Sequence, residues 1–384
     1  MRKLLLTTLI LSAMFAQVRL GNAGEKLVFY VGTATSEDAG GIFQSQIDLE
    51  TGVVAKPMLA VAASRTTFIW LHPTENVLYS VAEVLSETGE KMPAIAAWKI
   101  NAGDGKLTKI NHQSAEGAGP CFVTVRSDGK YAAVANYGSG SIAIYPLKPD
   151  GSIEPASGKV QHEGSGPLTS RQAGPHAHSV RFDPSGQRLL AADLGTDDVF
   201  IFDIQPDGSL KPAEVPSLIN PPGSGPRHFV FSPDNRFVLS LGELSGTIST
   251  FAYDAVSATP TSTISTVAAD LPDDANRWCA EILFHPSLPV VYCSNRGPQE
   301  IAVFDFEAKS GDLTRRGAVA CGGKTPRNFR LTPDGRFLLV ANQDSDNIAV
   351  FKVDSKTGDL TLTDQQISVP KPMCIKFIGD RQDY

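Results

Sequence analysis

The stretch Gly174–Ile204, GPHAHSVRFDPSGQRLLAADLGTDDVFIFDI, decides the fold. Its largely apolar segments Val180–Phe182, Leu189–Ala192 and Val199–Ile204, interrupted only by Arg181 and Asp203, are separated by the turn Asp183-Pro184-Ser185-Gly186 and by the polar break Asp193–Asp198. Runs this short, broken by Pro and Gly turn chemistry, read as antiparallel β-strands. Two histidines stand at the mouth of the first strand and Asp-Leu-Gly-Thr-Asp at the mouth of the next, so the polar chemistry gathers at one end of the hairpin.

The same pattern recurs along the chain as FIWLHPTENVLYSVAEV from Phe68, CFVTVRSDGKYAAVANYGSGSIAIYPL from Cys121, RHFVFSPDNRFVLSLGELSGTISTFAY from Arg227, ILFHPSLPVVYCSNRGPQEIAVFDF from Ile282 and NFRLTPDGRFLLVANQDSDNIAVFKVD from Asn328. With the opening stretch these are six copies, and the turn residues Pro73, Ser127, Pro184, Pro233, Pro286 and Pro333 are spaced by about 47 to about 57 residues, the step of propeller blades. Segments such as GDLTLTDQQIS supply a fourth, outer strand. A seventh copy is split between the ends: MCIKFIGD (373–380) matches the first strand, and LVFYVGTATSEDAGGIFQSQID from Leu27 matches the second and third. The expected fold is all-β, a seven-bladed β-propeller with four antiparallel strands per blade, closed by pairing of N- and C-terminal strands. The alternative, two open β-sandwiches, conflicts with a repeat that runs unbroken through every candidate boundary and with the lack of a Gly-, Ser- or Pro-rich linker.

Composition narrows the class further. The chain has 384 residues, 42% hydrophobic, with a formal net charge of −7. That is enough to bury a large core, and the acidic balance argues against nucleic acid as a partner. The N-terminus reads as an export signal: Arg2-Lys3, an apolar run Leu4–Ala16, then Gly21-Asn22-Ala23 before a cleavage point. Residues 1–23 are therefore expected to be a signal peptide and 24–384 a single domain, periplasmic or secreted. Removing Arg2, Lys3 and Arg19 takes the formal charge from −7 to about −10. The apolar run falls short of the roughly 20 residues of a membrane span, and no cysteine beside it can take a lipid anchor. The five cysteines, Cys121, Cys279, Cys293, Cys321 and Cys374, are too sparse and uneven for a disulfide scaffold or a zinc site. Cys279 and Cys293 flank one predicted hairpin and leave one pairing open.

In a hairpin, the start of the first strand and the end of the second share an edge. Six residues before each turn anchor stand Thr67, Cys121, His178, Arg227, Ala280 and Arg327. Nine after it stand Ala82, Asn136, Asp193, Gly242, Asn295 and Asn342, followed by Glu83, Tyr137, Leu194, Glu243, Arg296 and Gln343. Most are polar while the strand interiors are Val, Leu, Ile, Phe and Ala, so one face of the ring is the expected site, a concave pocket around the axis.

His178, with His176 beside it, could act as a general acid or base, or bond a neighbouring blade. Glu243 could serve as a base toward water or pair with Arg227 or Arg296. Arginines at strand ends of so acidic a chain call for an answering carboxylate or an anionic ligand, and Arg327, whose copy lacks a matching carboxylate, joins them as a substrate-binding candidate. Asn136, Asp193 and Asn295 lie on the same face and are candidates for substrate contact; turn formation by Asp193, blade ties by the asparagines and a calcium ring are the competing readings. His72 and His285 sit beside the turn, on the opposite face, and read as structural.

GPHAHSVRFDP, ADLGTDDVFIF, GSGPRHFVFSPDNRFVLSLGEL, CSNRGPQEIAVF and ANQDSDNIAVF resemble the seven-bladed propeller lactonase family of 6-phosphogluconolactonases and carboxy-cis,cis-muconate lactonising enzymes, over nearly the whole chain after residue 23. The resemblance implies an active site of His176 or His178, Arg227, Glu243 and Arg296, using no metal and no cofactor. It implies hydrolysis of a sugar lactone, aldono- or 6-phosphoglucono-, most simply an anionic one, with Glu243 as base, a histidine as proton donor and Arg227 and Arg296 holding the oxyanion, although these roles could swap. Lactonisation of a muconate is the alternative chemistry, and a non-catalytic binding propeller the alternative class. An export signal on such a chain favours an unphosphorylated aldonolactone over a cytosolic phosphorylated substrate.

Overall fold

Seven four-stranded antiparallel sheets, edge inward, form a closed ring in the computed structural model, which describes residues 26–86, 88–253, 258–272 and 274–379. The expected signal peptide lies outside the described residues. Six blades follow one another along the chain, with innermost strands Ile69–Leu71, Pro120–Val125, Ala177–Phe182, Pro226–Phe231, Cys279–Phe284 and Pro326–Leu331. Blade 7 takes its innermost strand, Pro372–Phe377, from one end of the chain and Lys26–Thr33, Gly41–Asp48 and Met58–Ala62 from the other. Pairing of Phe29 with Phe377 and Val31 with Ile375 closes the ring as expected. Gln365 of blade 6 completes the seam, accepting from Val54 N at 2.9 Å and donating to Gly52 O at 2.8 Å.

Each sheet buries both faces against its neighbours, which is why the strands read as nearly continuous apolar runs. Leu190, Val199 and Ile201 of blade 3 pack with Phe229, Val238 and Phe251 of blade 4, and Phe29, Val31 and Ile375 of blade 7 pack with Leu339, Ile348 and Val350 of blade 6. Fully burying a side chain of this size is worth roughly 1.5–3 kcal/mol, so no blade is stable without the next. His72 and His285 tie turns to neighbouring blades: their Nδ1 atoms accept backbone N–H groups of the following residues, and Nε2 lies 3.1 Å from Gly129 O and 3.2 Å from Gly335 O respectively. All five cysteines are free thiols, so the Cys279–Cys293 pairing left open by the sequence is not made.

One irregularity positions the site. In blades 2 to 7 the innermost strand slips register just inside its mouth, between Cys279 and Ile282 in blade 5 and between Pro372 and Cys374 in blade 7; in the other four, Pro120 pairs Asn136 but Phe122 pairs Ala135, Ala177 pairs Asp193 but Ser179 pairs Ala192, Pro226 pairs Gly242 but His228 pairs Leu241, and Pro326 pairs Asn342 but Asn328 pairs Ala341. In those four the extra residues are Cys121, His178, Arg227 and Arg327. A bulge leaves its extra residue unpaired and re-aims its side chain. These are the residues six before each turn anchor, and all of them face the axial cavity.

The mouths are closed by short backbone bonds, with Glu243 N donating to Gly225 O at 2.7 Å and Arg296 N to Trp278 O at 2.6 Å. Gly297 is required beside this closure, because a Cβ there would stand 1.6 Å from Asn276 O.

Candidate active site

The bulged strands and the residues that end the second strands line a cavity of about 680 Å³ at one mouth of the ring axis. Glu243 is its electrostatic centre. Its side chain is only 4% exposed, with Oε1 3.0 Å from Arg171 Nη2 and Oε2 3.0 Å from Arg227 Nε and 2.8 Å from Arg296 Nη2. Burial alone would raise this carboxyl, but Arg296 and Arg227 overcome it and hold the pKa at about 2. Arg227 is fixed from behind: it donates to Ala280 O, and its Nη1 lies 3.2 Å from His228 Nε2. His228 Nδ1 in turn lies 2.8 Å from Glu281 Oε1. Burial pushes His228 down to about 4, and His228 and Arg181 help hold Glu281 near 2 against its own burial, so the pair is a neutral imidazole and a carboxylate. The proton therefore sits on Nδ1, facing Glu281, and Nε2 accepts from Arg227.

His178 stands beside the clamp, with Nε2 4.0 Å from Glu243 Oε2 and Nδ1 4.0 Å from Cys121 Sγ. Burial and the neighbouring Arg227 push its pKa well below the usual imidazole value, so it is neutral at pH 7. Cys121 is no nucleophile, because burial raises its thiol to about 12.

Of the residues singled out from the sequence, His178, Arg227, Glu243, Arg296 and Arg327 converge on this cavity. His176 does not line it: its ring stacks on Tyr137 with centroids 4.6 Å apart and its Nδ1 lies 2.9 Å from Tyr137 O. Asn136, Asp193 and Asn295, expected as substrate contacts, do not line this cavity: all three are wholly buried and engaged with neighbouring chain segments. Asn136 Nδ2 donates to Ala115 O at 2.8 Å, and Asn295 Nδ2 to Thr266 O at 3.0 Å. Asp193 accepts from His176 N at 2.7 Å and meets His162 Nδ1 at 2.7 Å. They pair with the residue before each bulge, so they lack the re-aiming that turns a side chain toward the axis.

Arg171 and Trp278, with Arg65, Lys91 and the His228–Glu281 pair behind Arg227, escaped the sequence reading. Arg171 lies on a single helical turn, Thr169–Gln172, in the connection between blades 2 and 3, and Trp278 lies in the connection before the innermost strand of blade 5. The Trp278 ring carries the guanidinium of Arg171 at 4.5 Å and that of Arg296 at 5.5 Å. Neither Arg171 nor Trp278 belongs to the repeat, so no register could locate them. No group of three or more metal-binding side chains occurs among the described residues, and no helix among them is long and apolar enough to cross a membrane.

Ring and cavity together define a seven-bladed propeller with a cation-rich axial pocket around one clamped carboxylate. Residues 28–377 match the family model for the seven-bladed β-propeller lactonases. The chain is 33% identical to the 6-phosphogluconolactonase of Bacillus subtilis over 355 residues, 92% of this chain and 99% of the relative. It is 33% identical to the 6-phosphogluconolactonase of Formosa agariphila, over 82% of this chain and 89% of that one. Its fold matches the periplasmic gluconolactonase of Pseudomonas aeruginosa with a TM-score of 0.84 and 29% identity, covering 92% and 99% of the two chains. This chain belongs to the seven-bladed β-propeller lactonase family, and with it to the lactone-hydrolysing carboxylic ester hydrolases.

Proposed function

We propose that this chain opens a sugar lactone by hydrolysis at the axial cavity, with His178 as the proton-transfer group. The observation that carries this reading is the neutral His178 imidazole 4.0 Å from a carboxylate that three arginines hold in place. A carboxylate held near 2 with both oxygens engaged is a poor base, so the proton-accepting role expected of Glu243 passes to His178. In this scheme Nε2 takes a proton from water as its oxygen attacks the lactone carbonyl carbon. The oxyanion forms facing Arg171 and Arg296, and Glu243 stabilises the new imidazolium. Collapse breaks the ring C–O bond, and the imidazolium returns its proton to the departing oxygen, giving the hydroxy acid.

The surplus of cations favours an anionic lactone. The basic, apolar and small-residue order of residues 1–23 supports action outside the cytoplasm, as in the periplasmic gluconolactonase of Pseudomonas aeruginosa, and favours an aldonolactone.

The test is acid release in a pH-stat over a panel of lactones at neutral pH, for wild type and His178→Asn. Wild type should exceed the spontaneous rate, and the variant should lose about 10²-fold or more in kcat with little change in KM. Wild-type protein that releases no acid from any lactone would leave a binding propeller as the better description.

A further inference from the structure

Six cationic side chains line the cavity, Arg65, Lys91, Arg171, Arg227, Arg296 and Arg327, against two carboxylates, Glu83 and Glu243. This concentration stands out in a chain of net charge −7. Five of the cations are answered: Lys91 Nζ and Arg65 Nε lie 2.9 Å and 3.7 Å from Glu83, and the other three clamp Glu243. Among the described residues Arg327 alone of the six has no carboxylate within 4.0 Å, and its Nε, shut off from solvent, has no hydrogen-bond partner.

Its place is fixed by the fold. Arg327 is the extra residue of the blade 6 bulge, the position that brings His178 and Arg227 into the cavity from blades 3 and 4. Burial and the fields of Arg227 and Arg296 pull its pKa down to about 9, the signature of a guanidinium lacking an anion. The arginines on Glu243 cannot offer a ligand's permanent anionic group a guanidinium free of a competing carboxylate. Arg327 can, and a guanidinium grips an oxyanion with two parallel hydrogen bonds.

We propose that Arg327 is the specificity residue that binds the carboxylate or phosphate borne by an anionic lactone whose ring carbonyl is handled by His178 and the Glu243 clamp. The proposal rests on the lactonase reading above for its substrate, though not for its anion.

The experiment has two readouts. Calorimetry with inorganic phosphate as probe should show binding to wild type, weakened about 10-fold or more in Arg327→Gln. Kinetics on a phosphorylated, a carboxylate-bearing and a neutral lactone should show the preference for anionic over neutral substrate, as the ratio of kcat/KM values, falling by about 10- to 100-fold. The anionic lactone whose preference collapses further identifies the group Arg327 takes. Arg327→Lys, which keeps the charge and guards against misfolding of the Gln variant, should retain part of both. Wild type that binds no phosphate, or a Gln variant with unchanged phosphate affinity and substrate ratio, overturns the proposal while leaving lactone hydrolysis standing. Wild type inert to every lactone, with phosphate binding still lost in Arg327→Gln, overturns the lactonase reading and leaves the anion site.

Discussion

Arg296 Nη2 lies 2.8 Å from Glu243 Oε2, a contact that joins the mouths of blades 4 and 5 across the cavity floor. Arg171 reaches the same carboxylate from the connection between blades 2 and 3, so separate sectors of the ring converge on one acidic group. The clamp leaves one buried carboxylate answering three guanidinium groups.

Glu243→Gln should therefore cost stability as well as activity. Removing the carboxylate leaves Arg227, 3% exposed, and Arg296 without their anion, and breaking a buried pair in this way costs about 3–5 kcal/mol. Denaturant unfolding measures it, and a variant as stable as wild type would show that the arginines find other partners. The pH dependence has a definite sign. Burial-depressed His228, at about 4, resists the proton that an unfolded histidine takes up near 6.5, so wild-type stability begins to fall below about pH 6.5. Glu243 and Glu281, held near 2, stabilise the fold above the ordinary carboxyl range and lose that contribution as pH drops from about 4.5 toward 2. Between those limits the Gln variant should lose stability less steeply than wild type.

The activity profile tests the protonation state of His178. Because burial and Arg227 keep this imidazole neutral well below its usual range, kcat/KM for lactone hydrolysis should stay level as pH falls through 6.5, with its acid limb lower still. A limb centred at or above pH 6.5 would mean that the group losing activity on protonation is not this histidine.

Trp278 should matter more than its 38% exposure suggests. Its ring is shared by the guanidinium groups of Arg171 and Arg296, and stacking of this kind is worth roughly 0.5–2 kcal/mol. Trp278→Ala should weaken lactone hydrolysis by roughly 3- to 30-fold in kcat/KM with little change in thermal midpoint, whereas Trp278→Phe, which keeps a π face, should recover most of it. Equal losses in both variants would assign the indole to substrate contact.

The sequence by itself determined the ring. Each copy carries strands too apolar on both faces to stand alone, turn residues at fixed offsets and a period that only blades satisfy, and the split copy at the ends dictated the closure between Pro372–Phe377 and Lys26–Thr33. Counting from the turns also found His178, Arg227, Glu243, Arg296 and Arg327, because hairpin register is a local property written in sequence spacing.

Tertiary structure alone decided which polar residues at the mouths are free to act. The bulges that turn His178, Arg227 and Arg327 inward change register by one residue without a sequence mark, while Asn136, Asp193 and Asn295 stay within the regular ladder and spend their polar atoms on neighbouring chain segments. Arg171 and Trp278 come from irregular connections that share no offset with any turn, and the choice of His178 over His176 rests on which ring faces the cavity. Spacing along a strand is fixed by local geometry, but the balance of charge in a cavity is a sum over groups distant in sequence, and it exists only once the ring has closed.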